Sequence, residues 1–574
     1  MPGAALAVVL LASVLGLLCT RIGDYDDGIL LLGARLVLAG KLPYRDFYAH
    51  YGPFGFSLQA LFSGILRNPP VALRMGESIA LVLLGVAGFV AGRRRAGAVG
   101  AWSAAAYALV LSAAASLASF YGVALCLAAL GAFAMASSAG FPGDGERAAP
   151  EAAATRWAAV SGVFLALAVL TRPAFAAYSA VALAGLGLAA GTRRDRARLL
   201  PILAVSCAAT LVAAWLILYR DLSPIQAFDA TVLFPRRLLE GGLRYREASF
   251  LRAPLPVAFL LATLHAALPL LWTLGLPSRR GRLVGAAAIL ASGALPLWLR
   301  VSTRPERDGV LVAAGAIAIA LVLIARERRA LRENAALRVA ALFGLAAAAS
   351  EHYLWARADR PHFLPLLVIA AAGAAAVSVV VRPAARALLL GLFAFVCGTF
   401  LRSPVSVLFP AESLSQGGLT SVRQRWRAPH ASWKSVWPCG DIAADAHDAV
   451  AFADRHADPG SLFVAVASNQ SFADQDPILL FLLSARLPYT RWYQYDTGVQ
   501  DTAAVQRQML EELESSGSRT AVVWSIEGYG ARGPEAGGRP RTPFDEAFDR
   551  LYPVRGPRFG LYETRLRAGA APSP

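Results

Sequence analysis

The sequence predicts a polytopic α-helical membrane protein of about thirteen transmembrane helices with a C-terminal soluble α/β domain. Three observations predict it. Of the 574 residues, 56% are hydrophobic and only 16% charged, where a soluble chain carries roughly a quarter charged residues, and the mean hydropathy is +0.51. Apolar runs of spanning length, about 20 residues, recur from Ala4 to Leu401 with short arginine clusters between them. From Arg402 onward the composition becomes that of a soluble domain, so the membrane part is 1–401 and the soluble part 402–574.

The first run, Ala4 to Cys19, lacks a basic flank and a convincing cleavage pattern, and it reads as a retained transmembrane helix rather than a leader. The later runs are separated by Arg93-Arg94-Arg95, by Arg193 to Arg198, by Arg279 to Arg282, by Arg326 to Arg332, and by Arg382 with Arg386. Arginines gather on the cytoplasmic side of membrane proteins. With these five clusters inside, the N-terminus is cytoplasmic and the C-terminal domain extracytoplasmic. The outer connections are then 21–70, 220–254, 300–308 and 355–361. The net charge of +17 is accordingly a matter of membrane orientation and lipid contact, and no nucleic acid is expected. Helix interiors nearly free of ionisable groups speak against an ion-coupled transporter. Four of the five cysteines, Cys19, Cys126, Cys207 and Cys397, lie in apolar runs, which leaves neither a disulfide framework nor zinc spacing.

In the first outer loop, Gly28 to Gly40 is apolar at near-helical spacing, too short to span, and closed by a glycine; it reads as an interfacial helix. A second flat helix, Phe54 to Leu66, follows the turn signal Gly52-Pro53. In the soluble part, residues 461–468, 489–495 and 519–526 read as strands. Residues 476–486 and 501–517 read as helices, the second with a capping signal, and 567–574 as a disordered tail. Alternation of this kind implies an α/β layer structure.

Asp24, Asp26 and Asp27 stand together at the start of the first outer loop. Carboxylates this close repel unless a cation compensates, so one of them should have a raised pKa or a positive partner, which suits a general base. The plainer alternative is a solvated acidic loop in which Asp27 caps the following helix. His352 and His362 lack the helix-face spacing of metal ligands, and a divalent metal would need the three aspartates to converge with them. Asn469, Asp474 and Asp476 follow a strand end, where α/β folds often bind ligands. A phosphate-binding P-loop, a dinucleotide fingerprint and a nucleophile elbow are all missing from the sequence.

The whole stretch 23–55 adds a resemblance. Asp26-Asp27, Gly40, Pro43-Tyr44-Arg45-Asp46 and Gly52-Pro53 together resemble the first outer loop of GT-C glycosyltransferases. The likeness is to the family that includes bacterial aminoarabinose transferase and the protein O-mannosyltransferases. The many-span architecture with an outer C-terminal domain is similar to that family too. The resemblance implies that Asp26 deprotonates an acceptor hydroxyl on a glycan, lipid or protein. The oxygen then attacks the anomeric carbon of a sugar carried on a polyprenyl phosphate, with inversion. It also implies that Asp27 and Asp24 position the base or bind acceptor hydroxyls, and that Tyr44, Arg45, Asp46, His50 and Tyr51 line the substrate site. A bacterial inner membrane fits this family.

One departure stands out. Many relatives place a lysine just before the proline segment to meet the donor phosphate, and here His50 and Tyr51 occupy those positions. Cationic partners for a phosphate are instead offered by Arg357 and Arg360, which lie with Asp359 and His362 in a segment resembling the Arg-x-Asp-x-x-His stretch of some bacterial members of the superfamily. A ligase or polymerase using lipid-diphosphate donors would rely on the arginine-rich loop that includes Arg236, Arg237 and Arg246. A transporter or a non-catalytic assembly partner is the remaining class.

Overall fold

The computed structural model describes residues 2–19, 26–49, 51–113, 120–139, 151–190, 193–229, 324–356, 440–468, 477–493, 502–524 and 541–569, with single positions between them. The arginine clusters at 279–282 and at 382 and 386, the outer connection 300–308, most of 220–254 and 355–361, Asn469, Asp474, Asp476 and the final residues 570–574 lie outside the described residues.

Two compact units make up the chain. One comprises Met1–Leu17, Glu77–Leu218 and Arg244–Ala411, the other Leu18–Gly76, Tyr219–Leu243 and Glu412–Pro574. Composition changes at residue 402, whereas packing groups Leu18–Gly76 with the C-terminal segment. Composition reports what surrounds a residue, not which distant segment covers it.

Among its described residues the first unit is helical. α1 (Pro2–Cys19) is followed by α4 (Pro69–Ala113), which begins in the other unit, and by α5 (Phe120–Ala139), α6 (Glu151–Val169), α7 (Pro173–Ala190) and α8 (Arg193–Leu218). Two further helices, α10 (Arg328–Glu333) and α11 (Ala335–Ala356), complete it. α6 packs on α5 and α8, and α7 on α11. Small residues make these contacts possible: Ala136, Ala154 and Ala158 are fully buried together with Leu199, and a Cβ on Gly162 would collide with Ser206 and the Leu203 carbonyl. Among the described residues, three segments, Pro69–Val90, Ala152–Val169 and Ala197–Leu218, are long and apolar enough to cross a membrane. The last turns its apolar side chains outward, with Val205 67% and Ile217 76% exposed, as a lipid-facing helix does. Arg93, Arg94 and Arg95 lie within α4 and not in a turn between two spans as expected. Arginine is a good helix former, and no proline follows the cluster to stop the helix, which runs on through Gly97 and Gly100.

In the second unit, α2 (Asp26–Leu38) and α3 (Pro53–Leu66) pack side by side. They touch closely because Gly33 has no Cβ to strike the Phe56 ring. α2 ends as the glycine signal predicts: Gly40 has φ +78, Gly40 N donates to the Val37 carbonyl at 3.0 Å and Lys41 N to the Leu36 carbonyl at 2.9 Å. The short α9 (Pro224–Phe228) also belongs here.

The C-terminal part of this unit carries α12 (Gly440–Arg455), β1 (Val464–Ala467), α13 (Ile478–Leu483), α14 (Ala503–Ser515), β2 (Thr520–Trp524), α15 (Pro543–Leu551), β3 (Val554–Phe559) and β4 (Tyr562–Leu566). The sheet order is β1-β2-β4-β3. β1 and β2 are parallel, and β2, β4 and β3 are antiparallel neighbours. β1, β2 and the helices α13 and α14 fall where the hydrophobic pattern predicts them. Among the described residues 489–493, no strand forms where one was expected over 489–495: Tyr489 N donates to the Phe463 carbonyl and the Arg491 carbonyl accepts from Tyr48 N, so no ladder develops there. The hairpin β3-β4 and the helices α12 and α15 were not foreseen. α15 had a readable signal, a capping box in which Thr542 accepts from Asp545 N and Asp545 accepts from Thr542 N.

Candidate functional site

The acidic segment opens α2. Asp26 is its first residue and Asp27 lies in its first turn, so Asp27 does not cap the helix from outside as the plainer alternative required. The side chain of Asp26, and all of Asp24, lie outside the described residues. Asp27 is fully buried and accepts from Arg74 Nη2 at 2.6 Å; the two side chains are 2% and 1% exposed. Arg74 comes from the first turns of α4, whose start is set by Asn68: its side-chain oxygen accepts from Val71 N, and Pro69 and Pro70 fill the first helical positions. Burying either charge alone would be prohibitive, and the pair makes the burial tolerable. This is the compensating cation that three clustered aspartates demand, supplied from 47 residues away.

Behind α2 the Pro-Tyr-Arg-Asp turn closes on itself. Tyr44 N donates to the Phe47 carbonyl and Asp46 N to the Leu42 carbonyl. Asp46 in turn accepts from Leu42 N at 2.8 Å and from Arg45 Nε and Nη2 at 3.0 and 2.8 Å. The Arg45 hydrogen bond, aided by Leu42 N, holds the Asp46 carboxyl below its usual range. Tyr44 takes φ +68, a left-handed conformation that a tyrosine adopts only under constraint. The constraint is visible: its buried hydroxyl donates to the Tyr51 carbonyl at 2.7 Å, and its own carbonyl accepts from Arg491 Nη2 at 2.9 Å. Burial raises the Tyr44 phenol well above its ordinary pKa, and burial pushes the Tyr219 phenol, which shares a 2.9 Å hydrogen bond with Ser57, up to about 12. Neither phenol is built to ionise.

Of the residues singled out from sequence, Asp27, Tyr44, Arg45, Asp46 and Tyr51 are therefore placed, all within the second unit. Tyr44 and Asp46 spend polar atoms inside the turn, while the Arg45 side chain is 42% exposed. His50, Arg357, Asp359, Arg360 and His362 lie outside the described residues. Three arginines that sequence reasoning passed over now matter: Arg74, Arg35 and Arg491. A signal existed for Arg35, a lone charge in the apolar stretch Gly28–Gly40, and for Arg74, which shares its apolar segment with Glu77. Arg491 had none. No group of three or more metal-ligating side chains forms among the described residues.

No protein-family description matches the chain, and no curated protein matches it significantly. Solved structures do. ArnT from Cupriavidus metallidurans bound to undecaprenyl phosphate is 14% identical, with a TM-score of 0.45, over 100% of this chain and 99% of that one. The oligosaccharyltransferase of Archaeoglobus fulgidus in the apo form is 15% identical, with a TM-score of 0.48, over 96% of this chain and 72% of that one. The archaeal oligosaccharyltransferase AglB from Archaeoglobus fulgidus, in complex with an inhibitory peptide and a dolichol-phosphate, is 14% identical, with a TM-score of 0.44, over 91% of this chain and 69% of that one.

Proposed function

We propose that the protein is a membrane glycosyltransferase that moves a sugar from a polyprenyl-phosphate donor to a hydroxyl of a glycan, lipid or protein acceptor on the outer face of a bacterial inner membrane. The observation that carries the reading is the buried ion pair Asp27–Arg74 at the head of α2. It consumes one carboxylate of the acidic pair in structure and leaves Asp26, the first residue of the helix, as the one to do chemistry.

In this reading the Asp26 carboxylate takes the proton of the acceptor hydroxyl. The hydroxyl oxygen forms a bond to the anomeric carbon as the bond from that carbon to the phosphate oxygen breaks, and polyprenyl phosphate leaves with the electron pair. Attack opposite the leaving group inverts the anomeric centre. Asp27 positions α2 through Arg74, Asp24 contacts the acceptor, and Tyr44 and Asp46 shape the turn behind the base. Arg45, His50 and Tyr51 border the substrate. Arg357 and Arg360, with Asp359 and His362 beside them, hold the donor phosphate, for which forked guanidinium contacts are suited. No residue set is assigned to a metal.

The test is release of polyprenyl phosphate from a panel of polyprenyl-phosphate sugars by purified protein supplied with cell-envelope acceptors. Wild type is expected to consume a donor, and Asp26→Asn to lose about a hundredfold or more, as removal of a general base does. Equal turnover by both would remove Asp26 from the mechanism.

A further inference from the structure

The outer loop and the C-terminal segment are joined by two arginines that reach in opposite directions. Arg35, the basic residue of α2, extends to the C-terminal end of α13 and donates there to four carbonyls: Phe481 at 3.0 Å, Ser484 at 2.7 Å, Ala485 at 2.6 Å and Arg486 at 2.9 Å. Phe481 is in the last turn of α13, where carbonyls have no partner within the helix, and Ser484, Ala485 and Arg486 follow its end, so a planar cation with several donors is well matched to the cluster. The same short stretch is gripped from behind. Asp454 of α12 accepts from Ser484 Oγ, from Ala485 N and from Arg486 Nε. Burial pulls the Arg35 guanidinium below its ordinary pKa, and the charge of Asp454 opposes this.

Five residues further on, the direction reverses. Arg491 donates to the carbonyl of Tyr44, the residue held at positive φ, while its own carbonyl accepts from Tyr48 N at 2.8 Å. Its backbone is fixed by Glu512 of α14, which accepts from Arg491 N and from the Thr490 hydroxyl. Rings complete the contact: Tyr48 lies 5.3 Å from Trp492 and Phe47 6.0 Å from Tyr493. Between the two arginines, Leu487 and Tyr489 exchange backbone hydrogen bonds with Phe463, just ahead of β1.

We infer that segment 484–493 is a latch through which the C-terminal domain sets the position of the acidic loop, with Arg35 and Arg491 as positioning residues. Arg35 fixes α2 along its axis, and Asp26 opens the same helix. Arg491 holds the strained turn that follows it. The inference rests on the glycosyltransferase reading for what is positioned, but the latch itself is physical and is read without turnover. It gives the soluble domain a role in catalysis other than gripping a substrate.

Hydrogen exchange of the full-length protein in lipid nanodiscs tests it, comparing wild type with Arg35→Gln, Arg491→Gln and the two lysine variants. Exchange in 41–49 and 484–493 is expected to rise about tenfold or more in both glutamine variants, with 464–467 and 520–524 unchanged. Lysine at 491 should restore most of the protection, because one donor to Tyr44 suffices; lysine at 35 should not, because a compact ammonium cannot serve four carbonyls. With an accepted donor, Arg35→Gln should lower kcat about tenfold to a hundredfold with KM within twofold, as displacement of a reacting group does. Unchanged exchange in both segments overturns the latch. Exchange that rises with kcat unchanged overturns the positioning role. If wild type turns over no donor while exchange rises as expected, the transferase reading fails and the latch stands. Should Arg35→Gln expose the sheet peptides as well, Arg491→Gln decides alone.

Discussion

Cutting either partner of the Asp27–Arg74 pair should be among the most damaging single changes in the second unit. The side chains are 2% and 1% exposed and meet at 2.6 Å, so removal of one takes from the other, still buried, its opposite charge at hydrogen-bonding distance. Breaking such a pair costs about 3–5 kcal/mol, while replacing both members by apolar residues of similar volume is often neutral or better. A unit of this size shifts its melting temperature by roughly 2 °C per kcal/mol. Asp27→Leu and Arg74→Met should therefore each lower the midpoint by about 6–10 °C. The double variant should return to within about 3 °C of wild type. The assay is thermal unfolding in detergent followed by fluorescence-detected size exclusion, with the four proteins compared as a double-mutant cycle. Losses that simply add would refute the argument, because they would mean that each side chain is held by other groups and that the pair is incidental.

Tyr44→Phe removes the buried hydroxyl that donates to the Tyr51 carbonyl, a loss of about 1 kcal/mol. The same assay should show a fall of a few degrees, and an unchanged midpoint would mean that water replaces the hydroxyl. Glu512 supplies a pH dependence. Burial raises its pKa, against the hydrogen bonds from Thr490 and Arg491 N and the charge of Arg491. The folded value therefore lies above the unfolded one, so the stability due to the protonated form is complete below the unfolded value and is lost as pH rises through the folded one. Glu512→Gln should match wild type near pH 4 and exceed it at pH 7 to 8 in thermal midpoint; a constant difference at all pH values would show that its ionisation is not linked to folding.

Much of the local structure was legible in the sequence. The ends of α2 and α3 follow from Gly40 and from Gly52-Pro53, because a left-handed cap and a proline at the first helical position are written in residue type. β1 and β2 follow from their apolar runs, since a strand buried on both faces has to read as one. The segment at 489–495 misled because its aromatic and β-branched residues suit an extended chain, and extension says nothing about the pairing partner, which proved to be Tyr48. β3 was missed for the opposite reason. It is an edge strand with mostly exposed side chains and with Gly556 and Pro557 inside it, so it has no buried face to leave a pattern.

What the sequence determined by itself was the boundaries of the helices beside the acidic loop and the need of clustered carboxylates for a cation, met at Asp27. Which cation was decided only by tertiary structure. Arg74 reaches Asp27 across 47 residues, Arg35 reaches the end of α13 across about 450, and Arg491 returns to Tyr44 across 447. The physical reason is one of range. Helix and turn preferences act over a few residues and are recorded in residue order, whereas a buried charge accepts any partner of the right sign that the folded chain delivers within hydrogen-bonding distance.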